Sequence, residues 1–279
     1  MELFGLWLWP LLALILLPGL LVYFGLHVVE RGVIFVDLAL AQVAALGVCV
    51  AIARGAEPGH DALPWVLSFL FTMLGAALFS WTRFRHPRVP HESIIGIIYV
   101  VAAAASTLVL SRSAEGDEAL KSLLVGNVLL VTRAEVLRTF ALFAAIALVH
   151  VVLRKRFMLV TFQEREAQAQ GVSLRLWDFL FYATFGLTVT SFVQISGVYL
   201  VFSYLIVPAV CGALVSGNVR TRLAVGWAVA LIAGVSGLLL SIKMESLDLP
   251  TGPAIVCCFG ALLIATAIFV RLRALRRGV

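Results

Sequence analysis

This sequence predicts an all-α fold: a polytopic transmembrane helical bundle of about nine spans. Three observations carry that prediction. The 279 residues are 62% hydrophobic and 13% charged, roughly half the charged fraction of a soluble domain. Apolar stretches of membrane-crossing length recur along the whole chain. Lys and Arg gather in alternate connections between those stretches, the asymmetry that orients a membrane protein. No polar stretch is long enough for a second, soluble domain, so residues 1–279 read as a single transmembrane domain. The net charge of +6 does not point to nucleic acid, because no basic stripe interleaved with aromatics is present.

The first span covers 4–25. It fits a full span better than a signal peptide: it carries Glu2 instead of a basic n-region. Its apolar run of about 20 residues also exceeds a signal h-region of about 7–15. The others follow at 33–53, 64–82, 93–111, 136–153, 176–194, 197–215, 223–242 and 253–271. Eight is the alternative count, because only "QISG" divides the sixth from the seventh and charges flank the start of the second.

With the N-terminus outside, nine spans leave the C-terminus in the cytoplasm. Inside connections then hold Arg31, Arg83, Arg85, Arg88, Arg154, Lys155, Arg156, Arg165, Arg175, Arg220, Arg222, Arg271, Arg273, Arg276 and Arg277. Outside connections hold only Arg112, Lys121, Arg133 and Lys243, with Arg54 and Arg138 near outer span ends. The outer connections are acidic (Glu57, Asp61, Glu115, Asp117, Glu118, Glu135, Glu245, Asp248). Such a face attracts cations, or simply keeps short loops soluble.

Three connections have structure of their own. In "TFQEREAQAQGVSLR" (161–175), Thr161 and Glu164 have the spacing of a capping box, and Gly171 is placed for a left-handed C′ residue. This predicts a polar helix of about nine residues on the cytoplasmic side, either a docking element for a partner or a stiff linker. In "SLLVGNVLLVTRAE" (122–135), nine apolar residues are too few to cross. That predicts a re-entrant or interfacial segment broken at Gly126–Asn127, then a second box from Thr132 and Glu135. "SLDLPTGPAIV" (246–256) is a tight turn, with Thr251 as N-cap and Pro253 at N1 or N2.

Catalytic signatures fail on inspection. "HESII" (91–95) lacks the second histidine of a zinc protease, since Ile95 stands there. "GVSG" (234–237) resembles an intramembrane serine protease motif, but no later span supplies a histidine base for Ser236. Gly234, Ser236 and Gly237 read instead as small residues at a helix contact. No phosphate-binding G-x-x-x-x-G-K-[ST] occurs, so any ATP binds elsewhere. Cys49, Cys211, Cys257 and Cys258 lie in apolar runs without C-x-x-C spacing and read as packed hydrophobes.

The most informative stretch is "ERGVIFVDLALAQVAALG" (30–47). Here a carboxylate, Asp37, sits in a membrane helix, where a central charge costs on the order of 3 kcal/mol or more. Asp37, Ala41, Ala45 and Cys49 recur every fourth residue, a stripe of small residues that faces other helices. Asp37 then pairs with an arginine such as Arg31, lines a solute path, or sits at the lipid edge. Gln42 lies about 140° round the helix from it.

Several stretches in order resemble one family, the membrane permease subunits of bacterial ABC importers for zinc, manganese or iron. They are "RGVIFVDLALAQVAALG" (31–47), "ESIIGIIYVVAAAAS" (92–106), "LLVGNVLLVTRAEV" (123–136), "AQAQGVSLRLWDF" (167–179), "ISGVYLVFSYLIVPA" (195–209) and "LDLPTGPAIVCCFGALL" (247–263). The resemblance implies a type II permease of the cytoplasmic membrane that moves a divalent metal by alternating access. It implies two copies, each with a cytoplasmic ATPase that binds ATP, and a periplasmic or lipid-tethered metal-binding protein. No cofactor is implied on this chain itself. The segment 161–171 matches the coupling helix of such permeases, which makes Thr161, Glu164, Glu166, Gln168 and Gly171 candidates for ATPase contact. Asp37 and Gln42 fall on the translocation path, with Asp37 as a metal ligand. Where many members carry a histidine four residues after the aspartate, this chain has Ala41, and Gln42 is the nearest polar residue. An amide is a poorer zinc ligand than imidazole. That departure motivates a second reading, a permease for a metal chelate or other small solute. An intramembrane enzyme is the third.

Overall fold

The computed structural model describes residues 2–56, 61–82, 90–111, 131–243 and 250–276. Among these residues there are eleven helices and no strand: α1 (Glu2–Arg31), α2 (Val36–Ala53), α3 (Leu63–Trp81), α4 (His91–Leu110), α5 (Arg133–Val152), α6 (Arg154–Phe162), α7 (Glu164–Ala169), α8 (Leu174–Ser196), α9 (Val198–Val215), α10 (Val219–Lys243) and α11 (Thr251–Arg276). Nine of them, all but α6 and α7, are long and apolar enough to span a bilayer. Each predicted span is present.

Local chemistry sets the boundaries. After α1, Gly32 takes a left-handed φ of 64°, which lets the chain turn within four residues into α2. Gly197, at φ 77°, does the same between α8 and α9 and separates two helices where the sequence leaves a possible single one. The box at the start of α5 forms as predicted. The Thr132 backbone N–H and hydroxyl donate to Glu135 Oε2 at 2.8 and 2.7 Å, and the Glu135 N–H donates back to Thr132 Oγ1 at 3.3 Å. The apolar segment before it falls within 112–130, outside the described residues.

Two predicted caps are corrected. Thr161 does not begin a helix; it lies near the end of α6, and Gln163 is the N-cap of α7 without a side-chain cap bond. The reason is that "RKRFMLVTF" is itself helical, because Phe157, Val160 and Thr161 at i, i+3 and i+4 bury one face. The predicted nine-residue polar helix is therefore two helices broken at Gln163. Thr251 is the first residue of α11 rather than its cap, and its hydroxyl pairs with Ser241 Oγ at 2.9 Å.

The chain divides into two compact units. The first comprises Met1–Val29, Leu124–Ala141 and Ile195–Val279. Within it α9, α10 and α11 pack on one another through glycines. A Cβ at Gly212 would stand 2.5 Å from the Arg222 carbonyl oxygen, and one at Gly237 2.5 Å from Ile255 Cα. The second unit comprises Glu30–Leu123 and Leu142–Gln194. There α2 packs on α3 and α4. Its core includes an aromatic group of Phe79, Phe157, Phe181, Tyr182 and Phe185, all fully buried.

Candidate functional site

Two buried polar features of the second unit follow one another along the chain. The first is Asp37. It occupies the first turn of α2, not its middle, and is 2% exposed. Its stripe partners Ala41, Ala45 and Cys49 are buried with it, as the four-residue spacing predicts. The backbone N–H groups of Asp37 and Leu38 face the carboxyl, as anions are favoured at a helix N-terminus. Its Oδ1 has no hydrogen-bond partner among the described residues. A buried carboxyl oxygen without a donor is a free acceptor for water or a cation. Gln42 is half-buried on the same helix and about 140° away from Asp37. No group of three or more His, Cys, Asp or Glu among the described residues is placed to hold a metal. Asp37 thus offers a single oxygen-donor position and not a closed metal cage.

The second feature lies six residues earlier. Arg31, the last residue of α1, is not the partner of Asp37. Its Nη1 donates to Asp178 Oδ1 at 2.8 Å, in a pair whose side chains are 3% and 0% exposed. Its Nε donates to Thr161 Oγ1 at 3.0 Å, and its guanidinium lies 4.0 Å above the Phe181 ring. One planar side chain thereby joins the end of α1 to α6 and α8, using the fork geometry in which arginine differs from lysine.

Around it, His150 from α5 stacks on Phe157 at 4.1 Å and bonds to Thr184 Oγ1 at 2.9 Å. The Thr184 hydroxyl is also within reach of the Leu180 and Phe181 carbonyls, and when it donates to either of them His150 Nε2 is the donor to Thr184 Oγ1.

Asp178 is the residue that the sequence reading passed over. The signal was there: a carboxylate in an apolar helix needs a partner, and Arg31 is a basic residue at the end of another. Their separation of 147 residues gives no local pattern that names the pair.

The polar segment beyond Thr161 keeps its predicted character. In α7, Arg165, Glu166 and Gln168 are exposed and Ala167 is buried. Gln168 Nε2 donates to Glu164 Oε1 at 3.2 Å, and Gln170 Nε2 to Glu166 Oε1 at 3.1 Å. Gly171 has φ 70°, as predicted. Its N–H donates to the Gln168 carbonyl and that of Val172 to the Ala167 carbonyl, a Schellman stop. Ser236 is exposed and donates to the Ile232 carbonyl at 2.6 Å, an ordinary back-bonded helix serine.

Nine apolar helices among the described residues, a buried carboxyl oxygen without a hydrogen-bond partner and a polar helix between spans describe a multi-pass membrane protein. Residues 5–270 match the ABC 3 transport family, and the chain belongs to it. It is 26% identical over 194 residues to the chelated iron transport system membrane protein YfeD of Yersinia pestis, covering 70% of this chain and 64% of that one. It is 25% identical over 232 residues to the manganese transport system membrane protein MntC of Halalkalibacterium halodurans, 83% of this chain and 76% of the other. The zinc transport system membrane protein TroC of Treponema pallidum is 27% identical over 222 residues, 72% and 74% of the two chains. Among solved structures, PsaBC from Streptococcus pneumoniae in complex with Fab shares the fold at a TM-score of 0.76 and 20% identity, covering 95% of this chain and 94% of that one.

Proposed function

We propose that this chain is the permease subunit of an ABC importer that carries a divalent metal, zinc, manganese or iron, into the cell. The observation that carries this reading is the family match across residues 5–270, with relatives named for manganese, zinc and chelated iron transport. Two copies pair in the membrane. Each is engaged by a separate cytoplasmic ATPase at α7, through the half-buried Glu164, the exposed Glu166 and Gln168 and the Gly171 stop. An extracytoplasmic metal-binding protein delivers the cargo. Asp37 lies on the path and offers its open carboxyl oxygen to the passing cation. A single ligand suits a carrier, because a tight cage slows release. The gathering of Lys and Arg in alternate connections supports an orientation with α6 and α7 in the cytoplasm.

The test is reconstitution of the chain with its ATPase and binding protein in vesicles. ATP-dependent uptake of Zn²⁺, Mn²⁺ or Fe²⁺ is expected, and Asp37→Ala is expected to cut it by about tenfold, the cost of one charge-assisted contact. No uptake of any of the three cations refutes the reading. Gln42, in place of an imidazole, favours a second cargo, a metal chelate. Uptake only in the presence of the chelator identifies that case.

A further inference from the structure

The importer reading leaves open how movement at α7 reaches Asp37. Arg31 stands between them. Towards α7, its Nε holds Thr161, and only Phe162 and Gln163 separate that residue from Glu164. Towards the bundle, its Nη1 holds Asp178 and its plane lies on Phe181, which anchors it to α8. Towards the path, Arg31 leads through Gly32 and a three-residue turn into the first turn of α2, where Asp37 sits. The side chains of the ion pair are 3% and 0% exposed, so salt screens it little.

We propose that Arg31 is a positioning residue whose fork, gripping Thr161 and Asp178 at once, ties the position of the α6–α7 pair to that of the Asp37 turn. It touches no cargo. A short connection, residues 32–35, links the fork to the carboxyl-bearing turn. When the α6–α7 pair is displaced, Thr161 either draws Arg31 with it or lets go. The Asp178 contact defines the position to which Arg31 returns. This proposal rests on the importer reading only for the identity of the force on α7.

Thr161→Val is the sharpest variant. It keeps the side-chain shape and the Arg31–Asp178 pair and removes the hydroxyl acceptor that, among the described residues, joins the fork to α6. In the reconstituted complex, the expected result is a fall of about fivefold or more in metal moved per ATP hydrolysed, the low end of a site-to-site coupling. Thr161→Ser, which restores the hydroxyl, is expected to return the ratio to the wild-type value. A merely structural role lowers yield or melting temperature and leaves that ratio unchanged; an unchanged ratio overturns the proposal.

A wild-type complex that hydrolyses ATP and moves none of the three cations overturns the importer reading instead. In that event the link is read by hydrogen exchange in the full chain. Faster exchange at 32–38 in Thr161→Val supports it, and exchange equal to wild type at those residues overturns it.

Discussion

Both compact units pack over glycines, since in the second a Cβ at Gly47 would stand 2.5 Å from the Leu67 carbonyl oxygen, but among the described residues only the second adds a buried ion pair. In the first, α9, α10 and α11 approach one another over glycines, with no space for even a methyl group at Gly212 or Gly237. In the second, Arg31, Asp178 and Thr161 meet as buried polar groups. Burial in lipid gives little hydrophobic drive for one helix to find another, so close backbone approach and polar contacts must hold a bundle together. The two solutions behave differently when strained. A glycine seam has one arrangement and resists all others by steric overlap. A polar node has a second arrangement whenever another donor or acceptor comes within reach. The difference teaches where such a bundle stays rigid and where it is free to switch.

Four single substitutions and one double variant probe that contrast, each measured as unfolding of the detergent-solubilised chain. The largest effect is expected from Asp178→Ala. Leaving the Arg31 guanidinium buried and unpaired costs about 3–5 kcal/mol. Replacing both partners, as Arg31→Met with Asp178→Leu, is expected to recover most of that loss, because the penalty belongs to the unpaired charge. A double variant as unstable as the single one breaks the polar half of the comparison.

Gly237→Ala comes next. Alanine gains about 1 kcal/mol of helix propensity over glycine. Its methyl would stand 2.5 Å from Ile255 Cα, and such overpacking costs about 1–3 kcal/mol. The net expectation is a loss of stability, and a gain would show that the seam is loose. Gly171→Ala separates steric from backbone cost, since nothing lies within 4 Å of a Cβ there. Only the left-handed φ of 70° opposes alanine, a cost of about 1–2 kcal/mol. The smallest effect, about 1 kcal/mol, is expected for Glu135→Ala, which removes an exposed cap from α5 and leaves both fastenings intact.

Much of the candidate site was legible before any coordinates. The buried stripe from Asp37 to Cys49 follows from helical spacing alone. So does the left-handed Gly171, because a glycine after a run of strong helix formers has few other uses. The capping box at Thr132 succeeded and the one at Thr161 failed for a physical reason. Both have the same residue spacing, but the residues before Thr161 continue a helix whose apolar face buries its side chain.

What the sequence determined by itself is therefore what depends on neighbours along the chain: a bundle of eight or nine spans, the polar break between the fifth and sixth, and the face that Asp37 occupies. Only the tertiary structure decided the partners. Arg31 chose Asp178 over the nearer Asp37, and took Thr161 as well. Asp37 Oδ1 was left without a hydrogen-bond partner among the described residues. Periodicity constrains which way a side chain points from its own helix. It carries no information on which charge, 147 residues away, will stand opposite once the helices are packed.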